Sequence, residues 1–179
     1  MEEAIIKIIK LYQESFIIKI QPKDNTDNDI LMDLFGITFE TKQSNKQFWG
    51  RELGMLWQKI VIEVFKTTKG FAKSKKIERD EPYDLQFNND YIDTKYRIGS
   101  GDAGTLKKFK QYGKLIKSLG GNPVLLFLRE DNLPAAINAC KKGGWTIYTG
   151  KDSFEYIFKN TGIDLEKILK SFKLQFKIV

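Results

Sequence analysis

Two short runs of alternating residues, joined by Asn88 and Asn89, constrain the fold of this 179-residue chain more than any other feature. The runs are PYDLQF and DYIDTKYRI. Adjacent asparagines can supply the positive φ angles of a type I′ turn, so we predict a β-hairpin with a two-residue loop. That register places Asp84 directly opposite Asp93, on neighbouring strands.

Successive side chains of a strand point to opposite faces, so the hairpin has one mostly apolar face and one charged face. The apolar face carries Leu85, Ile92, Thr94, Tyr96 and Ile98. The charged face carries Asp84, Gln86, Tyr91, Asp93, Lys95 and Arg97.

Apolar periodicity elsewhere predicts an α/β protein with a mixed central β-sheet flanked by helices on both faces. We expect an N-terminal helix over 3–19, a short helix ended by Gly36, a long helix over about 46–68 and another over about 104–118. Two further strands, NPVLLFLRE and WTIYTG, alternate with helices, and FAKSKKIERDEP is expected to be a charged connector. We treat the chain as a single domain, 1–179: a helical N-terminal segment over 1–44, a core over 45–150 and closing helices over 151–179.

Composition narrows the chemistry that such a domain can perform. The chain has no histidine, which excludes serine and cysteine hydrolases that use a histidine base and metal sites that need imidazole. A single cysteine, Cys140, excludes an internal disulfide and fits a reducing cytosol. The net charge of +7 favours a polyanionic partner. No apolar run is long enough to span a membrane, and the acidic N-terminus does not look like a signal peptide.

The glycines Gly99, Gly101 and Gly104 fit the letter of the dinucleotide-binding pattern G-x-G-x-x-G. That pattern requires a first strand buried on both faces, whereas this strand carries Asp93 and Lys95 on one face. Burying those charges under a cofactor would be costly, so we interpret the glycines as a strand-to-helix turn.

The charged face is better explained as a metal site. Asp84 and Asp93 would repel each other across the hairpin, and a hard divalent cation such as Mg²⁺ removes that repulsion. Lys95, two residues on, can orient an attacking water or stabilise charge on a phosphate. The alternative is an exposed hairpin with an ordinary Asp–Lys ion pair.

The order of these motifs resembles the PD-(D/E)XK nuclease superfamily, in particular the small type II restriction endonucleases. The resemblance covers about 48–148 and rests on Pro82 and Asp84, on Asp93-Thr94-Lys95, on an acid-bearing helix upstream and on a basic helix downstream. Tyr83 departs from the pattern, because it separates Pro82 from the aspartate.

The resemblance implies a restriction-endonuclease-like fold and Mg²⁺-dependent, sequence-specific cleavage of double-stranded DNA that leaves a 5′-phosphate and a 3′-hydroxyl. It implies that Asp84 and Asp93 bind the metal and that Lys95 positions the water. A glutamate of the long helix completes such a site; we prefer Glu52 and keep Glu63 as the alternative.

Further residues are candidates for contacts with DNA. Phosphate contacts are expected from a lysine stripe and from the turn, with Lys107, Lys110, Lys114, Lys117, Arg97, Ser100 and Gln86 as the candidates. By residue type alone, base contacts can come from Arg51, Arg79, Arg97 or Arg129. A palindromic target implies a homodimer. The resemblance also implies a prokaryotic cytoplasm and a cognate methyltransferase in the same system.

Three alternatives remain open at this point. A structure-selective DNA repair or junction nuclease would use the same fold and residues. A DNA-binding module without catalysis would need only the basic surface, and a nucleotide-dependent oxidoreductase would need the glycine turn.

Overall fold

A computed structural model describes residues 28–77, 80–99 and 101–178. The expected N-terminal helix over 3–19, Arg79 and Ser100 lie outside these ranges. Seven helices occur in the described residues: α1 Ile30–Phe35, α2 Phe39–Ser44, α3 Lys46–Phe65, α4 Ala103–Ser118, α5 Pro134–Gly143, α6 Lys151–Thr161 and α7 Leu165–Ser171. No helix of the described ranges is both long enough and apolar enough to cross a membrane.

The described strands form one open, mixed sheet. They are β1 Phe71–Lys73, β2 Leu85–Phe87, β3 Asp90–Lys95, β4 Asn122–Phe127 and β5 Thr146–Thr149, and they lie side by side in chain order. Strand β2 pairs antiparallel with both β1 and β3, whereas β3, β4 and β5 are parallel. Each parallel connection contains a helix, α4 or α5, as parallel strands require. The prediction of a mixed α/β fold is confirmed.

The predicted hairpin is present in the predicted register. Leu85 pairs with Ile92 and Phe87 with Asp90, so the loop has two residues. Its turn differs from the expected type I′, because Asn88 has φ +52° but Asn89 does not have a positive φ. Loop length, rather than turn type, therefore fixes the pairing of the two strands.

Strand β1 corrects the expectation of a purely solvated connector after α3. Phe71 pairs with Phe87 on β2, and the Phe87 ring packs 5.3 Å from that of Phe65 at the end of α3. The aromatic contacts hold a three-residue strand within an otherwise charged segment.

Helices cover both faces of the sheet, as predicted. On one face, Val124 and Leu126 of β4 pack with the buried side of α3, including Trp57, and with α1, α6 and α7. On the other face, Leu125 and Phe127 pack with α4 and α5. The alternation along β4 thus separates two apolar cores, one on each side of the sheet.

Candidate active site at the carboxyl end of β3

Asp84 directly precedes β2, at the point where β3 continues beyond its pairing with β2 and stays paired with β4. The backbone N–H of Asp84 donates to the carbonyl of Ile92 at 2.8 Å, which makes the last backbone bond of the hairpin. Beyond it, the Asp84 carboxylate takes the place of a strand: its Oδ2 accepts from the Thr94 backbone N–H at 2.7 Å and from the Thr94 hydroxyl at 2.6 Å. One side chain of the candidate site is therefore fixed to the backbone of the strand that carries the others.

Asp93 lies on the opposite side of β3 from Ile92 and Thr94, in register with buried Leu125. It is itself buried, with 8% of its surface exposed. Its Oδ1 accepts from the Lys95 ammonium at 2.5 Å, and the same ammonium donates to the Thr94 carbonyl at 3.1 Å. The Lys95 side chain is 36% exposed and that of Asp93 is 11% exposed. The ammonium is thus the partly exposed, outer member of the ion pair, and the carboxylate is the buried member.

Burial and charge perturb both members of this pair. Burial, together with the nearby negative charge of Asp84, raises the pKa of Asp93 to about 7 even though Lys95 opposes the shift. Burial disfavours the charged form of Lys95, but the charges of Asp93 and Asp84 outweigh it and raise the pKa of that ammonium. Burial, followed by the charge of Asp93, raises the pKa of the neighbouring Cys140 thiol to about 12. Cys140 is therefore a neutral neighbour, and the charge of the site belongs to the two aspartates and the lysine.

The long helix α3 contributes a residue that sequence reasoning missed. The side-chain amide of Gln58 donates to Oδ1 of Asp84. Gln58 directly follows Trp57, whose side chain is fully buried. A polar residue directly beside a buried tryptophan is the signal in the sequence for this contact.

The two predicted acids of α3 have other contacts. The carboxylate of Glu52 accepts from Arg51 Nε at 3.1 Å and pairs with its Nη2 at 3.0 Å. Glu63, with 73% of its side chain exposed, pairs with Lys66 at 2.6 Å, as an ordinary surface acid would. Within the described ranges, no three acidic or cysteine side chains come together as a metal-binding group. The carboxylates that the fold brings together are the pair Asp84 and Asp93.

Tyr83, which interrupts the expected Pro-Asp dipeptide, belongs to the core between the sheet and α4. It is 3% exposed, its ring packs edge-on against that of Tyr91 at 4.8 Å, and its hydroxyl accepts from the Lys75 backbone N–H at 3.1 Å. The insertion therefore fills the interior and leaves Asp84 bonded to β3.

The remaining predicted contact residues lie around this centre. The lysine stripe is exposed along α4, at Lys107, Lys110, Lys114 and Lys117. Gln86 donates to the Asn88 carbonyl at 2.9 Å in the hairpin turn. Arg97 pairs with Asp131 at 2.8 Å.

Asp131 also accepts from Arg129 at 2.7 Å, and Arg129 reaches Asp29 at 2.9 Å. Asp29 caps α1 and accepts from the Tyr96 hydroxyl. This network occupies the α3 side of the sheet, and Arg129 is only 10% exposed there. Arg129 therefore serves to join α1 to the end of β4.

The glycine turn leads into α4 in a way that disfavours a dinucleotide. Asp102 is the N-cap of α4, and its carboxylate accepts from the Thr105 backbone N–H at 2.9 Å. A carboxylate thus occupies the helix N-terminus where a pyrophosphate would have to bind.

Comparisons with known proteins add no assignment to this geometry. No protein-family model, curated protein or solved structure matches the chain. The residues at the end of β3 are therefore the basis for a functional proposal.

Proposed function

We propose that this protein is a Mg²⁺-dependent endonuclease of double-stranded DNA, similar to the type II restriction enzymes of the PD-(D/E)XK superfamily. The observation that carries the proposal is the convergence of Asp84, Asp93 and Lys95 at the carboxyl end of β3, with Asp93 buried and Lys95 outermost. The strand order, three antiparallel strands followed by parallel strands with intervening helices, is compatible with the fold that the resemblance implies.

The donor set suits Mg²⁺. This ion keeps several waters and is usually held by one or two carboxylates together with substrate phosphates. Asp84 and Asp93 provide two carboxylates, and burial, followed by the negative charge of Asp84, raises the pKa of Asp93. When bound, Mg²⁺ supplies positive charge that polarises a phosphoryl oxygen and favours ionisation of water.

Lys95 is the residue placed to act on the reacting groups. An ammonium has three N–H donors, and two of them are used by Asp93 and the Thr94 carbonyl. The third can hold the attacking water or a non-bridging phosphate oxygen. The water loses a proton to solvent and its oxygen forms the new bond to phosphorus. The bond from phosphorus to the 3′ oxygen breaks and that oxygen takes up a proton from solvent, which yields a 5′-phosphate and a 3′-hydroxyl.

The lysine stripe supports a DNA path along α4. The helix starts near the carboxyl end of β3 and runs back across the sheet, and ten residues of helix span about 15 Å. Lys107 and Lys117 thus lie at opposite ends of the stripe. We assign these lysines to phosphates that flank the cleaved bond, and retain Gln86, Ser100 and Arg97 as candidate contacts at the hairpin and turn.

A homodimer is included in the proposal. Exposed apolar side chains cluster after α7, where the Phe172 and Phe176 rings lie 6.0 Å apart and Leu174 is 52% exposed. Such a surface suits contact with a second copy of the chain. A prokaryotic cytoplasm, a sequence-specific target and a cognate methyltransferase complete the proposal.

Digestion of long, mixed-sequence duplex DNA with Mg²⁺ tests this function. We expect discrete fragments from the wild type and none from Asp93→Asn. We expect Lys95→Met to slow cleavage by roughly 10²- to 10³-fold, the usual cost of removing one fixed hydrogen-bond donor to the reacting groups. Glu63→Gln is the matched control, because it removes a charge from the surface of α3 and should leave the rate unchanged.

Other outcomes select the alternatives. A smear of fragments that depends on Asp93 would favour a structure-selective repair nuclease. Uncut DNA with all variants, combined with tight binding in a mobility-shift assay, would leave a DNA-binding module and overturn catalysis.

A further inference from the structure

We infer that the site binds a single divalent cation per chain and that Gln58 sets this number. The inference rests on the proposed function, since it concerns the cation that the two aspartates would hold. It goes further by naming the ion count and a positioning residue outside the expected motif.

Hydrogen bonds leave few coordination positions at Asp84. A carboxylate oxygen has two lone-pair directions. Both directions of Oδ2 are used by Thr94, and one direction of Oδ1 is used by the Gln58 amide. One position of Asp84 remains for a cation.

Asp93 is less restricted, because the Lys95 ammonium uses only one lone-pair direction of its Oδ1. Two ions about 3.5–4 Å apart need a bridging carboxylate and further acids on each side. Asp93 could bridge, but Asp84 offers one position and no third acidic side chain of the described ranges joins the pair, so the donor set suits one ion.

The net charge of the site also favours one cation. Asp84, Asp93 and Lys95 together carry one net negative charge when ionised. One dication and one phosphodiester bring that total to zero.

Position 58 is where α3 could supply the missing acid and does not. Gln58 touches Asp84, whereas Glu52 is bonded to Arg51 and Glu63 to Lys66. A glutamate has nearly the same shape as a glutamine but replaces a donor with an acceptor and a negative charge. Gln58→Glu would thus create a third carboxylate beside Asp84.

The experiment counts ions directly. The full chain is titrated with Mn²⁺, and free Mn²⁺ is followed by electron paramagnetic resonance, without DNA. We expect one tightly bound ion per wild-type chain and two per chain for Gln58→Glu. Gln47→Glu, which adds the same charge at an exposed position of the same helix, should still bind one. Gln58→Met, which removes the donor without adding charge, should also bind one.

Each result is decisive for one of the two proposals. Two ions in the wild type would overturn the inference while leaving nuclease activity intact. One ion without cleavage of any DNA would support the inference and remove the proposed function. An unchanged count in a Gln58→Glu variant whose circular dichroism matches the wild type would show that Gln58 does not set the number. If that variant fails to fold, the number of ions bound by the wild type still tests the inference that each chain binds one cation.

Discussion

At the scale of single residues, the ion pair of Lys95 and Asp93 is unequally exposed. The ammonium reaches solvent while the carboxylate lies 8% exposed beneath it. Burial disfavours an ionised carboxylate, and Lys95 compensates only partially. Without a bound cation, ionised Asp93 therefore lowers the free energy of unfolding.

This cost predicts how stability depends on pH. Asp93 has a pKa of about 7 when folded and an ordinary value of 3.8. Between these values the folded state binds more protons than the unfolded state, so this residue's contribution is fully present below about pH 4 and is lost as pH rises through 7. Asp93→Asn removes that loss. In metal-free buffer, the variant should gain on the order of 2 kcal/mol relative to wild type between pH 5 and pH 8.

Urea unfolding at the two pH values, with a chelator present, measures the difference. Glu155→Gln, which alters an exposed carboxylate on α6 paired with Lys151 at 3.7 Å, should show no such pH-dependent difference. A constant offset between Asp93→Asn and wild type at both pH values would contradict the prediction.

Sequence reasoning predicted that Asp84, Asp93 and Lys95 lie close together but not that Gln58 contacts Asp84, and the difference has a physical origin. The first three follow from strand alternation and a two-residue loop, which are local rules. The contact of Gln58 with Asp84 joins residues 26 apart in sequence and depends on how α3 is rotated on the sheet. Local periodicity defines the buried side of a helix but not which flanking residue faces a given strand end.

At the scale of elements, α4 and α5 approach each other through glycine. A Cβ at Gly113 would lie 2.4 Å from the Gly143 carbonyl and 2.6 Å from Trp145 Nε1. That indole nitrogen donates to the Phe109 carbonyl at 2.7 Å, so neither neighbour can move without loss. The close approach fixes the position of α4, which carries the lysine stripe, against α5.

We therefore expect Gly113→Ala to destabilise the protein by about 1–3 kcal/mol, although alanine favours helix. Gly50→Ala is the opposite case. Gly50 lies in α3, and a Cβ added there would have nothing within 4 Å, so alanine should stabilise by up to about 1 kcal/mol. Thermal or urea unfolding measures the change in stability of each variant, which should be a loss for Gly113→Ala and a gain for Gly50→Ala. Equal changes would refute the role of the α4–α5 contact.

Strand β1 shows why one element could not be predicted. It has three residues, too few for alternation to be visible, and it lies next to a lysine-rich stretch. Its place depends on pairing with β2 and on packing against Phe65, both of which are set by tertiary structure. The longer strand β4 was predictable because its apolar run reflects burial on both faces.

At the scale of the whole molecule, the positive charge is spread over surfaces that have different expected roles. The lysines of α4 lie on the face of the sheet that carries Asp93, whereas those of α6 lie on the opposite face. If DNA binds along α4, only the first set releases counterions from DNA phosphates.

The double variant Lys107→Gln/Lys114→Gln tests that separation. Each phosphate contact contributes about 0.9 to the slope of log affinity against log salt concentration, so the slope should fall by about 2. Fluorescence anisotropy with labelled duplex DNA and a chelator, which prevents cleavage, measures it. The control Lys151→Gln/Lys159→Gln removes the same charge from α6 and should leave the slope nearly unchanged. Equal losses from both pairs would indicate only a nonspecific effect of net charge.

The hydrogen bonds that Thr94 donates to Asp84 fix the orientation of this carboxylate before any ligand binds. Because the carboxylate completes a strand edge, its rotamer is selected when the chain folds, long before a cation or substrate arrives. Immobilising a free side chain on binding typically costs about 0.5–1.5 kcal/mol. Folding has already met that entropic cost at Asp84, so the site is preorganised by secondary structure itself.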